Sequence, residues 1–151
     1  MIVGLIASTF DLLHAGHVHF IRNAVENCDR LVCALQTAVT DRDGKNPPVQ
    51  SVYERYTQLT AIRGVETIIP YESEKDLYNL LLTTRHHIRF LGEDYVDKTV
   101  TGSNLYKTFV RNVHELKDPN LIIDFPCIVL LERRHDYSTT SLRQRIVNAS
   151  K

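Results

Sequence analysis

Neither sign of charge prevails in this chain. Eighteen Lys and Arg residues face eighteen Asp and Glu, so no global positive field exists to hold a long nucleic acid or an anionic membrane surface. Any anion site must be local. Cysteine is scarce: Cys28, Cys33 and Cys127 are odd in number and spaced as neither a zinc knuckle nor a C-x-x-C redox pair. They read as buried thiols of a reducing compartment, which predicts a cytoplasmic location. Long hydrophobic runs are missing too. The apolar opening, residues 1–7, has no basic lead, is too short for a bilayer and breaks at Ser8-Thr9. It is expected to be a core strand and not a signal. No internal repeat, low-complexity tract or linker is visible, and no G-x-G-x-x-G turn supports a redox α/β domain from fold alone.

What is there is an ordinary globular balance, 43% hydrophobic and 24% charged over 151 residues, enough for one domain spanning 1–151. Short apolar runs alternate with stretches of helical period, the pattern of an α/β parallel sheet with helices on both faces. Strands are expected at residues 2–7, 30–35, 65–69, 88–91 and 127–131. Helices are expected after the first histidines, at 52–63 (capped by Ser51 with Glu54), at 74–84, and from Ser138 to about Asn148. Residues 36–50 carry no apolar period and read as a mobile loop over a site. A short helix near 104–116 is expected to precede an apolar stretch at 121–123.

The chemistry concentrates in Ser8-Thr9-Phe10-Asp11-Leu12-Leu13-His14-Ala15-Gly16-His17. A strand running through this turn into a helix sets two imidazoles beside free backbone amides, and Gly16 lets an anion approach the backbone. A nucleotide polyphosphate fits such a place. The histidines suit acid, base or donor roles. If the acceptor is a phosphate monoester, its attacking oxygen is already anionic, so no general base is needed and His14 and His17 serve as donors to the α-phosphate and departing pyrophosphate. A metal site from His14, His17 and His19 is the competing reading, opposed by the spacing of His17 and His19 on different helix faces.

With these residues the sequence resembles the cytidylyltransferase-like nucleotidyltransferases, most nearly the small glycerol-3-phosphate cytidylyltransferases. Besides T-F-D-x-x-H-x-G-H it carries Tyr53-Glu54-Arg55, then Leu91-Gly92-Glu93-Asp94-Tyr95, then Arg133 followed by Ser138-Thr139-Thr140. The resemblance implies a Rossmann-like domain with five parallel strands in the order 3-2-1-4-5 and commonly a homodimer. It further implies transfer of CMP from CTP, carried with Mg²⁺, to a small phosphorylated acceptor such as glycerol 3-phosphate. It assigns catalysis to His14, His17, Lys45 and Arg133. The nucleotide would lie against residues 8–11, Gly16, Gly92, Glu93, Asp94, Tyr137, Ser138 and Thr139. Arg55 and Tyr95 would meet the acceptor. Asp11 would support its loop and hold the metal through water, beside the plainer reading of an Asx-turn carboxylate; no residue is expected as a direct metal ligand.

Two departures from the relatives stand out. Arg134-His135-Asp136-Tyr137 replaces the family's T-x-G-I before the last Ser-Thr, which makes Tyr137 a new wall. Gln36-Thr37-Ala38 stands where an aspartate is usual, on the acceptor side. ATP with a sugar phosphate, and a non-catalytic nucleotide-binding module, are the other readings.

Overall fold

In the computed structural model, which describes all 151 residues, the chain runs β1 (Val3–Ser8), α1 (Ala15–Val25), β2 (Arg30–Gln36), α2 (Val52–Thr60), β3 (Val65–Tyr71), α3 (Glu74–Thr83), β4 (Ile88–Gly92), β5 (Thr108–Val110), β6 (Cys127–Leu131) and α4 (Thr139–Ala149). One sheet of order β3-β2-β1-β4-β6-β5 holds all six strands, every pairing parallel. The expected α/β Rossmann-like class is met. The central five strands keep the expected order 3-2-1-4-5, and a sixth lies outside them.

That sixth strand is a correction. Residues 104–116 do not form a helix: single 3-10 turns at Ser103–Leu105 and Val113–Lys117 flank the strand Thr108-Phe109-Val110. A β-branched and aromatic triplet beside an unpaired edge gains more from pairing with β6 than from a helical turn. Val110 is buried and Phe109 is exposed, the alternation of a half-covered strand. Residues 121–123 form no strand, and Ile122 is exposed.

Both faces of the sheet are covered, which explains the nearly continuous apolar runs of β2 and β6. On one face Ile21 and Ala24 of α1 and Leu59 of α2 pack onto Ile6, Cys33, Phe90 and Val129. On the other, Leu77, Leu80 and Leu81 of α3 cover Leu5, Val32 and Ala34. Tyr95, Val100 and Tyr106, from the segment after β4, cover Leu91, Ile128 and Leu130. The edge position of β3 tolerates Pro70, which has no N–H for a ladder. The thiols are unpaired, with Cys33 and Cys127 buried and Cys28 half-buried. His87 Nδ1 accepts the Val3 amide at 3.1 Å, and His86 bridges the Thr84 carbonyl and the Tyr106 hydroxyl, so both are structural. No helix is long and apolar enough to cross a membrane.

Candidate active site

A cleft of about 1220 Å³ opens over the carboxyl ends of β1, β2, β4 and β6, where open α/β sheets take ligands. Its floor begins at the turn after β1. Phe10 and Leu12 have φ of 48° and 49°, a left-handed conformation that non-glycine residues hold only under restraint. The restraint is visible. Asp11, 4% exposed, accepts the amides of Val49 and Gln50, both at 2.9 Å, and Arg143 at 3.0 Å; Gln50 Oε1 in turn accepts the Leu12 amide at 2.8 Å. These bonds outweigh the burial that opposes them and hold the Asp11 carboxyl below its ordinary range. Its oxygens are thereby committed and it does not line the cleft. Asp11 is a loop clamp, and the water-mediated metal role finds no support in this geometry.

The turn delivers His14 to the N-cap of α1, and the cap is built from imidazoles. His14 Nδ1 accepts the Gly16 amide at 3.0 Å and His17 Nδ1 accepts the His14 amide at 3.4 Å. With Nδ1 accepting, a neutral ring carries its proton on Nε2, so the cap sets the tautomer of both rings as Nε2 donors. The rings lie 4.0 Å apart, and His14 Nε2 reaches Thr139 Oγ1 at 3.3 Å. Gly16 is required: a Cβ there would stand 2.8 Å from the His14 ring and 2.9 Å from that of His135.

Burial keeps both rings neutral. It lowers the His14 pKa, helped by the charges of His135, Arg133 and Arg145, and pushes His17 down to about 4, with His14 adding to the effect and Asp11 opposing it. Because the folded pKa of His17 lies below its unfolded value of 6.5, the unfolded chain binds more protons between about pH 4 and 6.5. Stability should therefore rise with pH across that window and flatten above it. Urea midpoints at pH 4.5 and 7 should differ less for His17→Gln than for the wild type; an equal difference would contradict a neutral His17.

The other expected residues divide. Ser8, Thr9, Phe10, Lys45, Gly92, Asp94, Tyr95, Arg133, Tyr137, Ser138 and Thr139 all line the cleft with His14, Gly16 and His17. Phe10 does so as a core residue, 1% exposed. Glu93 does not line it: its carboxylate accepts the Arg133 amide at 2.9 Å and so pins the loop between β6 and α4. In that loop Arg133 donates to the Tyr137 carbonyl at 2.7 Å and Ser138 caps α4. His19, His135 and Tyr137 stack in a row, successive centroids 5.5 Å apart.

Arg55 is the main correction. Expected at the acceptor, it is instead 1% exposed and absent from the cleft wall. Its guanidinium donates to the carbonyls of Gln50 (3.1 Å), Thr9 (2.8 Å), Gln36 (2.5 Å) and Thr37 (2.7 Å), tying together the loops after β1 and β2. A planar fork with five donors suits several diverging carbonyls; four of the five are engaged here, and the buried group does not reach the cleft wall. Residues that the sequence reading passed over also line the cleft, among them Arg42, Glu74 and Arg89. Of these only Arg89 carries a sequence signal, a charge inside the apolar strand Ile88-Arg89-Phe90-Leu91.

No group of three or more His, Cys, Asp or Glu side chains converges as a metal cage. The cleft instead combines helix N-termini, neutral imidazole donors and the cations of Lys45 and Arg133, an arrangement suited to a polyphosphate bearing its own counter-ion.

Comparison with known proteins agrees. The family model for cytidylyltransferase-like proteins matches residues 5–145. The bifunctional protein HldE of Caulobacter vibrioides is 31% identical over 146 residues, 95% of this chain and 27% of that protein; HldE of Campylobacter fetus is 34% identical over 106 residues, 69% of this chain and 22% of that protein. The chain thus spans about a quarter of the length of these relatives. Among solved structures, a lipopolysaccharide core biosynthesis protein from Thermoplasma volcanium superposes with TM-score 0.64 at 20% identity, covering 89% of this chain and 99% of that one. A nicotinate-nucleotide adenylyltransferase, described as putative, from Vibrio parahaemolyticus gives TM-score 0.56 at 13% identity, covering 99% and 89%. These two likenesses concern the fold. With its family model matched over nearly the whole chain and its paired histidines at the mouth of the sheet, the chain belongs to the cytidylyltransferase-like nucleotidyltransferases.

Proposed function

We propose that this protein transfers CMP from CTP to a small phosphomonoester, with glycerol 3-phosphate as the model acceptor, and releases pyrophosphate. The single observation that carries the reaction type is the histidine cap. Two neutral rings, each with its Nε2 proton fixed by the bond at Nδ1, stand at a helix N-terminus on the cleft floor.

In this reading the triphosphate lies over the N-termini of α1 and α4. The acceptor's phosphate oxygen attacks the α-phosphorus, and the bond from that phosphorus to the bridging oxygen breaks. Pyrophosphate leaves with the electron pair. The attacking oxygen bears charge already, so no base is called for and none is built. His14 and His17 donate to oxygens on which charge accumulates, while Lys45 and Arg133 offset the remaining charge. Mg²⁺ enters as part of the nucleotide substrate.

Arg133 together with Ser138-Thr139 supports CTP, since that pattern is what the chain shares with the cytidylyltransferases. A second reading changes only the donor. The row His19, His135, Tyr137 offers a longer aromatic face than one pyrimidine covers, which favours ATP. Pyrophosphate release with Mg²⁺, each of the four nucleoside triphosphates and a panel of phosphomonoesters separates these donors. CTP is expected to give the highest kcat/KM; preference for ATP establishes the second reading, and no release with any pair contradicts both. Equal CTP binding by wild type and a His14→Ala/His17→Ala double variant, with turnover in neither, would instead describe a non-catalytic module. A homodimer in a cytoplasmic setting completes the proposal, and sedimentation velocity tests the dimer.

A further inference from the structure

The last helix is held differently from the others. α1, α2 and α3 each bury residues, whereas α4 buries none, and none of its side chains packs against the apolar clusters on either face of the sheet. A helix of 11 residues has little stability of its own in water. Its place must therefore come from polar bonds, and its side chains make these to the rest of the chain at two points. Near the N-terminus Thr139 Oγ1 meets His14 Nε2 at 3.3 Å. One turn later a terminal nitrogen of Arg143 donates to Asp11 Oδ2 at 3.0 Å and to the Pro47 carbonyl at 3.3 Å.

Only the second point outlasts substrate binding. In the reaction proposed above His14 donates its single Nε2 proton to a phosphate oxygen, so its bond to Thr139 gives way when nucleotide enters. Arg143 then remains as the side chain that ties α4 to the turn after β1 and to the loop after β2. Asp11 also accepts the amides of Val49 and Gln50. One carboxylate thus joins three parts of the cleft: the strained turn leading to His14, the loop carrying Lys45, and the helix whose first turn holds Ser138 and Thr139. Arg143 itself is absent from the cleft wall.

We infer that Arg143 is a positioning residue for the nucleotide: through Asp11 it sets the N-terminus of α4 at the distance from the His14 and His17 rings that a bound polyphosphate requires. It acts through the carboxylate and touches neither substrate. The inference rests on the transfer reading above and adds to it a residue from outside the cleft. A helix fixed at one point swings about that point, so a loss at Arg143 misplaces the phosphate-binding turn while the sheet and its core stay as they are.

The test measures calorimetric binding of MgCTP and MgATP, steady-state kinetics and amide hydrogen exchange in wild type, Arg143→Met, Asp11→Asn and the double variant. Arg143→Met should lower kcat/KM for the nucleotide by about ten- to a hundredfold, the scale of a small misplacement of binding groups, with acceptor KM nearly unchanged. Nucleotide binding should weaken with it. Asp11→Asn should lose at least as much, and the double variant no more than Asp11→Asn, since either change opens the same clamp. Without nucleotide, exchange in Arg143→Met should quicken in α4 and at residues 47–50 and not in α3. Arg143→Gln, at a side chain 31% exposed, replaces Arg143→Met if that variant does not fold; if Asp11→Asn does not fold, the exchange result decides. Unchanged nucleotide binding in Arg143→Met, or losses that multiply in the double variant, overturns the inference. Weakened binding with unchanged exchange overturns it too, by making Arg143 a direct phosphate ligand. If wild type binds nucleotide but releases no pyrophosphate with any acceptor, the transfer reading fails, and binding and exchange still decide the role of Arg143.

Discussion

Replacing His14 or His17 by alanine is expected to lower kcat by about a hundredfold or more, because donors aimed at charge that develops in the transition state commonly contribute that much. Nucleotide affinity should change far less. His14 also caps α1, so His14→Ala costs roughly 1 kcal/mol of stability as well. Asparagine separates the two roles: it caps well but cannot place a proton where Nε2 stands. His14→Asn should therefore melt close to the wild type and remain as inactive as the alanine variant. Wild-type turnover in His14→Asn would show that the cap, and not the donor, is what the residue supplies. Since both rings work as neutral donors, kcat should also show no limb near the ordinary histidine pKa of 6.5, in keeping with His17 held at about 4.

The second large effect is on stability. Arg55→Met leaves the carbonyls of Thr9, Gln36, Thr37 and Gln50 without their shared donor. At about 1 kcal/mol or more for each buried group left unpaired, the loss should reach roughly 3–5 kcal/mol, or a fall in Tm of about 10 °C or more for a chain of this size. Arg55→Lys should restore little, because a point charge on a flexible stem cannot meet carbonyls in several directions. Activity should fall in proportion to unfolding, as the strained turn at Phe10 and Leu12 loses its anchor. An Arg55→Lys variant that melts normally but has a raised acceptor KM would return Arg55 to the acceptor site and contradict the staple.

These two residues show where sequence reading succeeds and where it stops. His14 and His17 are legible because every contact that defines them is local: a strand, a turn and a helix cap within ten residues. The helices at 52 and 74 were legible for the same reason, their capping pairs being three residues apart. Arg55 belongs to an equally recognisable motif, yet its four partners lie between 5 and 46 residues away, and only the closed fold shows that they bury it away from the cleft. The pairing of Asp11 with Arg143 spans 132 residues and leaves no trace in spacing. The strand at Thr108 was hidden differently. Three residues with strong β preference sit inside a stretch with enough apolar spacing for a helix, and the edge of β6 decides between them. Arg89 was the one missed residue that the sequence did announce, as a charge within a buried strand.

The central claim is that the cleft joins a nucleoside monophosphate to a phosphate monoester without a catalytic base. The most direct measurement is ³¹P NMR of the purified protein with MgCTP and glycerol 3-phosphate, repeated with MgATP. The expected result is a pair of coupled diphosphate resonances that grow one-for-one with pyrophosphate and are lost in His14→Asn. Free CMP or AMP appearing in place of the coupled product, or undiminished product from His14→Asn, would contradict it.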